Sequence, residues 1–157
     1  MKDIGYPYLP AGRSFEYVPA SDPFMMLAAE ACRNSSTDLN HPTGSVVVLK
    51  GVVQGSAANQ AAIRSPILVK AHKNLCVRKL LHVKTGTRYW LCPGCASPRS
   101  HSEPRAINDA RRQGHDTEGA DLYLWGHWWC CEPCWRAIIG AGIARVCLME
   151  GSEETFR

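Results

Sequence analysis

The sequence predicts a three-layer α/β domain, and three observations predict it. Segments with the two-residue period of strands alternate along the chain with segments of helical period. The 157 residues, 45% of them hydrophobic and 20% charged, suffice for one globular domain with a core that needs no disulfides. The two densest groups of reactive side chains, His101-Ser102-Glu103 and Cys130-Cys131-Glu132-Pro133-Cys134, fall at the starts of two helices, where strand-to-helix loops deliver residues.

Taken in order, residues 1–22 are rich in Pro, Gly and Tyr and read as an irregular arm, packed on the body through Tyr6, Tyr8 and Phe15. Residues 23–157 read as the domain itself. Asp22 and Pro23 open a helix, one as the cap and one in the first turn, where backbone donors are unpaired. In "PFMMLAAEACRNS" the helical period places Phe24, Leu27, Ala28, Ala31 and Cys32 on the inner face. "SVVVLKGVVQGSAAN" reads as a hairpin, with Val46–Val48 buried and Lys50-Gly51 as the turn.

Residues 60–75 show no clear period, and "SPILVKAHKN" reads as loop. "VRKLLHVKTGTRYWLCPGC" reads as a short strand pair around Lys84-Thr85-Gly86. "SEPRAINDARRQG" is a helix, with Pro104 early, Ala106, Ile107 and Ala110 inward and Gly114 closing it. "ADLYLWG" is a strand, "EPCWRAIIGAG" a helix with Pro133 in its first turn, "ARVCLME" the last strand and "GSEETFR" a short tail.

No apolar run follows the first residues, and no stretch approaches the ~20 apolar residues of a membrane span. The expectation is therefore a cytoplasmic protein without a membrane partner. In a reducing compartment the eight cysteines are thiols or metal ligands rather than a disulfide framework. The net charge of +4 suits an anionic small molecule such as a nucleotide and does not call for nucleic acid.

The cysteines carry the chemistry. Cys131-x-x-Cys134 spans a helix start, a spacing that lets both thiolates reach one ion while the helix N-terminus favours their charge. His101, at the start of the other helix, supplies a third ligand. Three protein ligands with a fourth position left for water are the pattern of a catalytic zinc. Glu103, two residues from His101, is then free to move protons. The competing reading is a structural zinc closed by a fourth ligand such as Cys130, or no metal. Adjacent cysteines seldom reach the same ion, so Cys130 reads as a buried thiol or pocket wall.

Cys92-Pro93-Gly94-Cys95 is a second C-x-x-C. It joins Cys76, His82 or His115 in a structural zinc site, or it is a loop with two thiols near the active site; a redox pair is the third reading, against which the strand-helix context stands. Cys32 and Cys147 lie on apolar faces and read as core.

"HSEPRAINDARRQG" together with "ADLYLWGHWWCCEPCWRAIIGAGIARV" resembles the cytidine/deoxycytidylate deaminase superfamily, and most of all its dCMP deaminase branch. The hairpin "TGSVVVLKGVVQGSAANQ" is similar to that family's first strands and the asparagine after them. The resemblance extends over residues 23–150 and implies the cytidine deaminase-like α/β/α fold around a mixed central sheet. It implies His101, Cys131 and Cys134 as zinc ligands, Glu103 as proton shuttle, Asn59 on the base or sugar, and Thr43 and Gly44 near the nucleotide.

The implied function is zinc-dependent hydrolytic deamination of a cytosine-type nucleotide, dCMP or a modified relative, to the uracil-type product and ammonia. Zinc-activated water is the nucleophile, Glu103 carries the proton, and the protein is a homo-oligomer. Ser102, Arg105 and Cys130 depart from the residues usual at those positions, and the loop before Cys131 is long. Those departures bear on the substrate. His127 and Trp129 in that loop are candidates for contact or stacking, and Arg78 and Arg105 for phosphate. The alternatives are deamination of another base (guanine, a free nucleoside or adenosine in tRNA) and a non-catalytic binding protein of this fold. Glu103 argues against the last.

Overall fold

The strands are β1 (Phe15–Val18), β2 (Gly44–Leu49), β3 (Val52–Ala58), β4 (Asp121–Trp125) and β5 (Arg145–Met149) in the computed structural model, which describes residues 7–84 and 87–157. They form one mixed sheet in the order β1-β5-β4-β2-β3. β1, β5 and β4 run parallel, and β2 is antiparallel to both β4 and β3. The expected hairpin is present. Lys50 and Gly51 both have positive φ, 52° and 77°, as a two-residue turn matched to the twist of the strands requires.

The helices are α1 (Pro23–Ser35), α2 (Pro66–Asn74), α3 (Val77–Leu80), α4 (Ser102–Arg112), α5 (Glu132–Gly140) and α6 (Ser152–Phe156). Successive strand residues face opposite ways, and the two faces bury separate cores. Val46, Val48, Tyr123 and Cys147 pack with Met25 and Ala28 of α1. Val47, Leu122, Leu124, Val146 and Leu148 pack with Ala106 and Ile107 of α4 and Trp135 and Ile138 of α5. The result is the three-layer α/β/α arrangement with a mixed sheet that the sequence predicts.

Five details differ from the sequence reading. Part of the segment expected to be an irregular arm is the edge strand β1, whose Phe15 ring lies 5.5 Å from that of Trp135. Pro and Gly on either side mask a strand only four residues long. Tyr8 packs against the core at its margin, while Tyr6 lies outside the described residues. The inner face of α1 is Met25, Ala28, Ala29 and Cys32, and Leu27 is exposed. The Asp22 carboxylate accepts from the Phe24 and Met25 amides, as expected of the cap.

"SPILVKAHKN" is not loop but the helix α2, and Val77–Leu80 is the short helix α3 rather than strand. The proposed turn residues Thr85 and Gly86 lie outside the described residues. α2 buries only His72 and exposes Ile67 and Leu68, so no apolar period marks it. Its one written signal is Ser65-Pro66 at the start. The tail is the helix α6. Among the described residues, no helix is long and apolar enough to cross a membrane.

Candidate active site

Sheet register brings the site together. Gly44 of β2 pairs with Ala58 of β3 and with Trp125 of β4, so Thr43, Asn59 and Gly126 emerge at the same end of the sheet. α4 and α5 begin there too. Their N-cap residues are His101 and Cys131, and neither side chain makes a capping hydrogen bond. Positions where Ser or Asp would favour the helix carry side chains that face one another instead.

His101 Nδ1 lies 3.3 Å from Cys134 Sγ and 3.5 Å from Cys131 Sγ, and the two sulfurs are 3.2 Å apart. Both cysteines are buried. Zinc bonds of about 2.3 Å to sulfur and about 2.0 Å to nitrogen give tetrahedral edges of about 3.5 to 3.8 Å, so this triad fits zinc with slight expansion. The hydrogen bond from Cys134 holds the Cys131 thiol down to about 6, against burial. Burial pushes Cys134 well above the ordinary thiol range. The pair thus already favours one thiolate before a metal draws off the second proton. His101 is further held by the Ala96 backbone and by the edge of Tyr89, 5.5 Å away between ring centres.

Glu103 is buried at the wall of the cavity in front of this triad. Ser45 Oγ donates to Ser102 Oγ at 2.8 Å, and Ser102 Oγ donates to Glu103 Oε2 at 3.2 Å. The fully buried Cys130 thiol lies against Glu103, and burial, then the Glu103 charge, keeps it protonated. Ser102 and Cys130, the two departures nearest the ligands, therefore both hold the carboxylate. Cys130 is core and stands outside the metal triad.

The cavity measures ≈ 280 Å³, a size suited to a small molecule. Thr43, Asn59, Arg78, Lys79, His127 and Trp129 are among its walls. The Asn59 amide oxygen accepts from the Thr43 amide and Ser36 Oγ, and its nitrogen donates to the His41 carbonyl. One N–H remains for a ligand. His127 Nδ1 accepts from the Trp128 and Trp129 amides at 3.0 and 3.4 Å. Burial pulls its pKa down to about 4; Glu103 opposes this, and His41 and His101 add to it. His127 is neutral with its proton on Nε2, a fixed donor in the cavity wall.

Two candidates sit elsewhere. Gly44 is away from the cavity, and a Cβ there would meet the Ala28 carbonyl oxygen at 2.1 Å, so it serves the close approach of β2 and α1. Arg105 Nε donates to the Ala58 carbonyl at 2.9 Å, tying α4 to β3 outside the cavity. Cys76, Cys92 and Cys95 do come together, but with His72 rather than His82 or His115. His115 instead contacts the Gln54 carbonyl at 2.7 Å. The sequence reading missed His72 because its helix was taken for loop. The signal lay in the His72-x-x-x-Cys76 spacing, one helical turn before a cysteine.

Residues 20–150 match the family described as "Cytidine and deoxycytidylate deaminase zinc-binding region". No curated protein matches the chain. Among solved structures, the dCMP deaminase of the cyanophage S-TIM5 is 18% identical, with 85% of this chain and 86% of that one covered and a TM-score of 0.51. A diaminohydroxyphosphoribosylaminopyrimidine deaminase/5-amino-6-(5-phosphoribosylamino)uracil reductase of Thermotoga maritima is 24% identical, with 80% of this chain covered and a TM-score of 0.47. The present chain spans 28% of the length of that protein. Guanine deaminase of Bacillus subtilis is 19% identical, with 83% and 64% covered and a TM-score of 0.43.

Proposed function

This chain belongs to the cytidine and deoxycytidylate deaminase family, and on that premise we propose that it hydrolytically deaminates a phosphate-bearing cytosine nucleotide, dCMP or a modified relative. The observation that carries this reading is the cavity itself: His101 and Cys131 of the metal triad and Glu103 form one part of its wall, and Arg78 and Lys79 form another. A cationic wall in a cavity of nucleotide size favours a substrate that brings its own negative charge.

His101 Nδ1 and the sulfurs of Cys131 and Cys134 would hold the zinc. When bound, zinc supplies activated water near neutral pH. Glu103 accepts the proton of the attacking water, passes it to the ring nitrogen beside carbon 4, and serves again as the amine departs as ammonia. The hydrogen bond from Ser102 and the Cys130 thiol beside it keep its carboxylate in place through both transfers. His127 donates from Nε2 to the base, Trp129 offers an aromatic surface at the cavity wall, and Asn59 offers its remaining N–H to the base or sugar. Arg78 and Lys79 receive the phosphate.

The retention of a doubly held glutamate favours an enzyme over a binding protein of the same fold. The test is turnover of dCMP in oxygen-18-labelled water. Hydrolysis places one labelled oxygen in the uracil-type product and releases one ammonia per product. Absence of both from zinc-loaded protein, with another base deaminated instead, would overturn the substrate.

A further inference from the structure

We propose that His72, Cys76, Cys92 and Cys95 form a second zinc site, closed and structural, that fastens the basic wall of the cavity. All four side chains are buried, and their ligand atoms lie within 4.8 Å of one another. Cys76 Sγ is 3.6 Å from Cys95 Sγ and 4.0 Å from Cys92 Sγ, and Cys95 Sγ is 3.5 Å from His72 Nε2. Tetrahedral zinc with three thiolates and one imidazole has S···S edges near 3.8 Å and S···N edges near 3.5 Å, from bonds of about 2.3 and about 2.0 Å. The sulfur separations are far beyond a disulfide bond of about 2.05 Å.

The surroundings are built for the four ligands. The Cys95 amide donates to the Cys92 carbonyl at 3.1 Å, a tight turn that turns both sulfurs the same way. Gly94 lies flat against the His72 ring, where a Cβ would come within 2.2 Å of Cγ and Cδ2. The Ala62 and Ile63 amides both donate to the Pro93 carbonyl. Asn40 holds the far side of the imidazole, its amide 3.2 Å from Nδ1. The same amide nitrogen donates to the His72 carbonyl at 3.3 Å, and with Nε2 on the metal the ring proton sits on Nδ1. Three thiolates with Zn²⁺ leave a net charge of −1, and the Arg78 guanidinium lies beside Cys95 to offset it.

Four protein ligands leave no open position, so this site is structural where the first is open. The rest of its segment is poorly supplied with core. α3 buries no residue, α2 buries only His72, and the apolar side chains Ile67, Leu75, Leu80 and Trp90 are exposed. A metal clip replaces the missing apolar contacts. It also reaches the active site. Cys76 and Cys95 line the cavity, Arg78 and Lys79 follow Cys76, and Ala96 follows Cys95 and contacts His101. The fastening role rests on the deaminase reading of the cavity; the metal count does not.

The experiment is zinc content per chain by elemental analysis of the full-length protein, with native mass spectrometry as a check. Wild type is expected to carry two zinc ions, Cys92→Ser one, His101→Ala one, and His72→Cys two. Amide hydrogen exchange should rise in residues 66–96 of Cys92→Ser while residues 102–112 keep their protection. A single zinc in wild type that His101→Ala removes would overturn the second site, as would two zinc ions in Cys92→Ser or an oxidised pair among the three cysteines. If the protein binds two zinc ions but deaminates nothing, the proposed function fails and the second site stands.

Discussion

His127→Asn separates a neutral histidine from a charged one. An Asn oxygen at this position can still accept from the Trp128 and Trp129 amides, so the turn is kept while the titration is removed. In wild type the folded-state pKa is lowered from 6.5 to about 4, chiefly by burial. The stability this contributes is therefore fully present above pH 6.5 and is lost as the pH falls toward 4. At about pH 5 the unfolded chain binds this proton about 30-fold more favourably than it would at neutral pH, while the folded protein scarcely binds it. Linkage then costs wild type about 2 kcal/mol between about pH 7.5 and about pH 5. The assay is urea unfolding of zinc-loaded wild type and His127→Asn at both pH values. The gap between the two proteins should shift by about 2 kcal/mol toward the variant at the lower pH, since all other groups titrate in both. A gap that does not change with pH would show that His127 is not held neutral, and its role as a fixed Nε2 donor would fall with it.

Three other perturbations address separate parts of the molecule. Arg78→Ala should raise KM for dCMP by roughly 10- to 100-fold, the worth of a charge-assisted hydrogen bond of about 1.5–3 kcal/mol, and change kcat less; steady-state kinetics with dCMP and deoxycytidine checks this, and an equal loss on both substrates would place the phosphate elsewhere. Ser102→Ala should lower kcat about tenfold with KM kept, because the Glu103 carboxylate loses a charge-assisted hydrogen bond of about 1.5 kcal/mol; an unchanged kcat would leave Ser102 as packing only. Gly44→Ala should destabilise the fold by about 1–3 kcal/mol, since its methyl would meet the Ala28 carbonyl, and should spare the turnover of the protein that remains folded; thermal unfolding measures it.

The half of the molecule that carries the metal triad was legible in the sequence because its signals are local. His101-x-Glu103 and Cys131-x-x-Cys134 each sit within one helical turn, and the strands and helices that carry them have strong periods. The edge strand β1 was hidden by its length and its Pro- and Gly-rich flanks. α2 was hidden because its helical face is not apolar: what it buries is the imidazole His72, and a single polar residue has no period. Gly44 was placed near the nucleotide by resemblance and Arg105 by its single turn from Glu103, yet each makes a contact, with Ala28 and Ala58 respectively, that only the folded chain brings near. Conversely, Ser102 and Cys130 stood out only as departures, and the structure gives them a shared partner in Glu103.

The most direct test of the account is ammonia release from dCMP by zinc-loaded wild type beside zinc-loaded Glu103→Gln. The account predicts steady turnover by wild type, weaker turnover of deoxycytidine, and a loss of roughly 10²- to 10⁴-fold in kcat for Glu103→Gln with its zinc retained. Equal rates for the two proteins, or zinc-loaded wild type that releases no ammonia from dCMP, would contradict it.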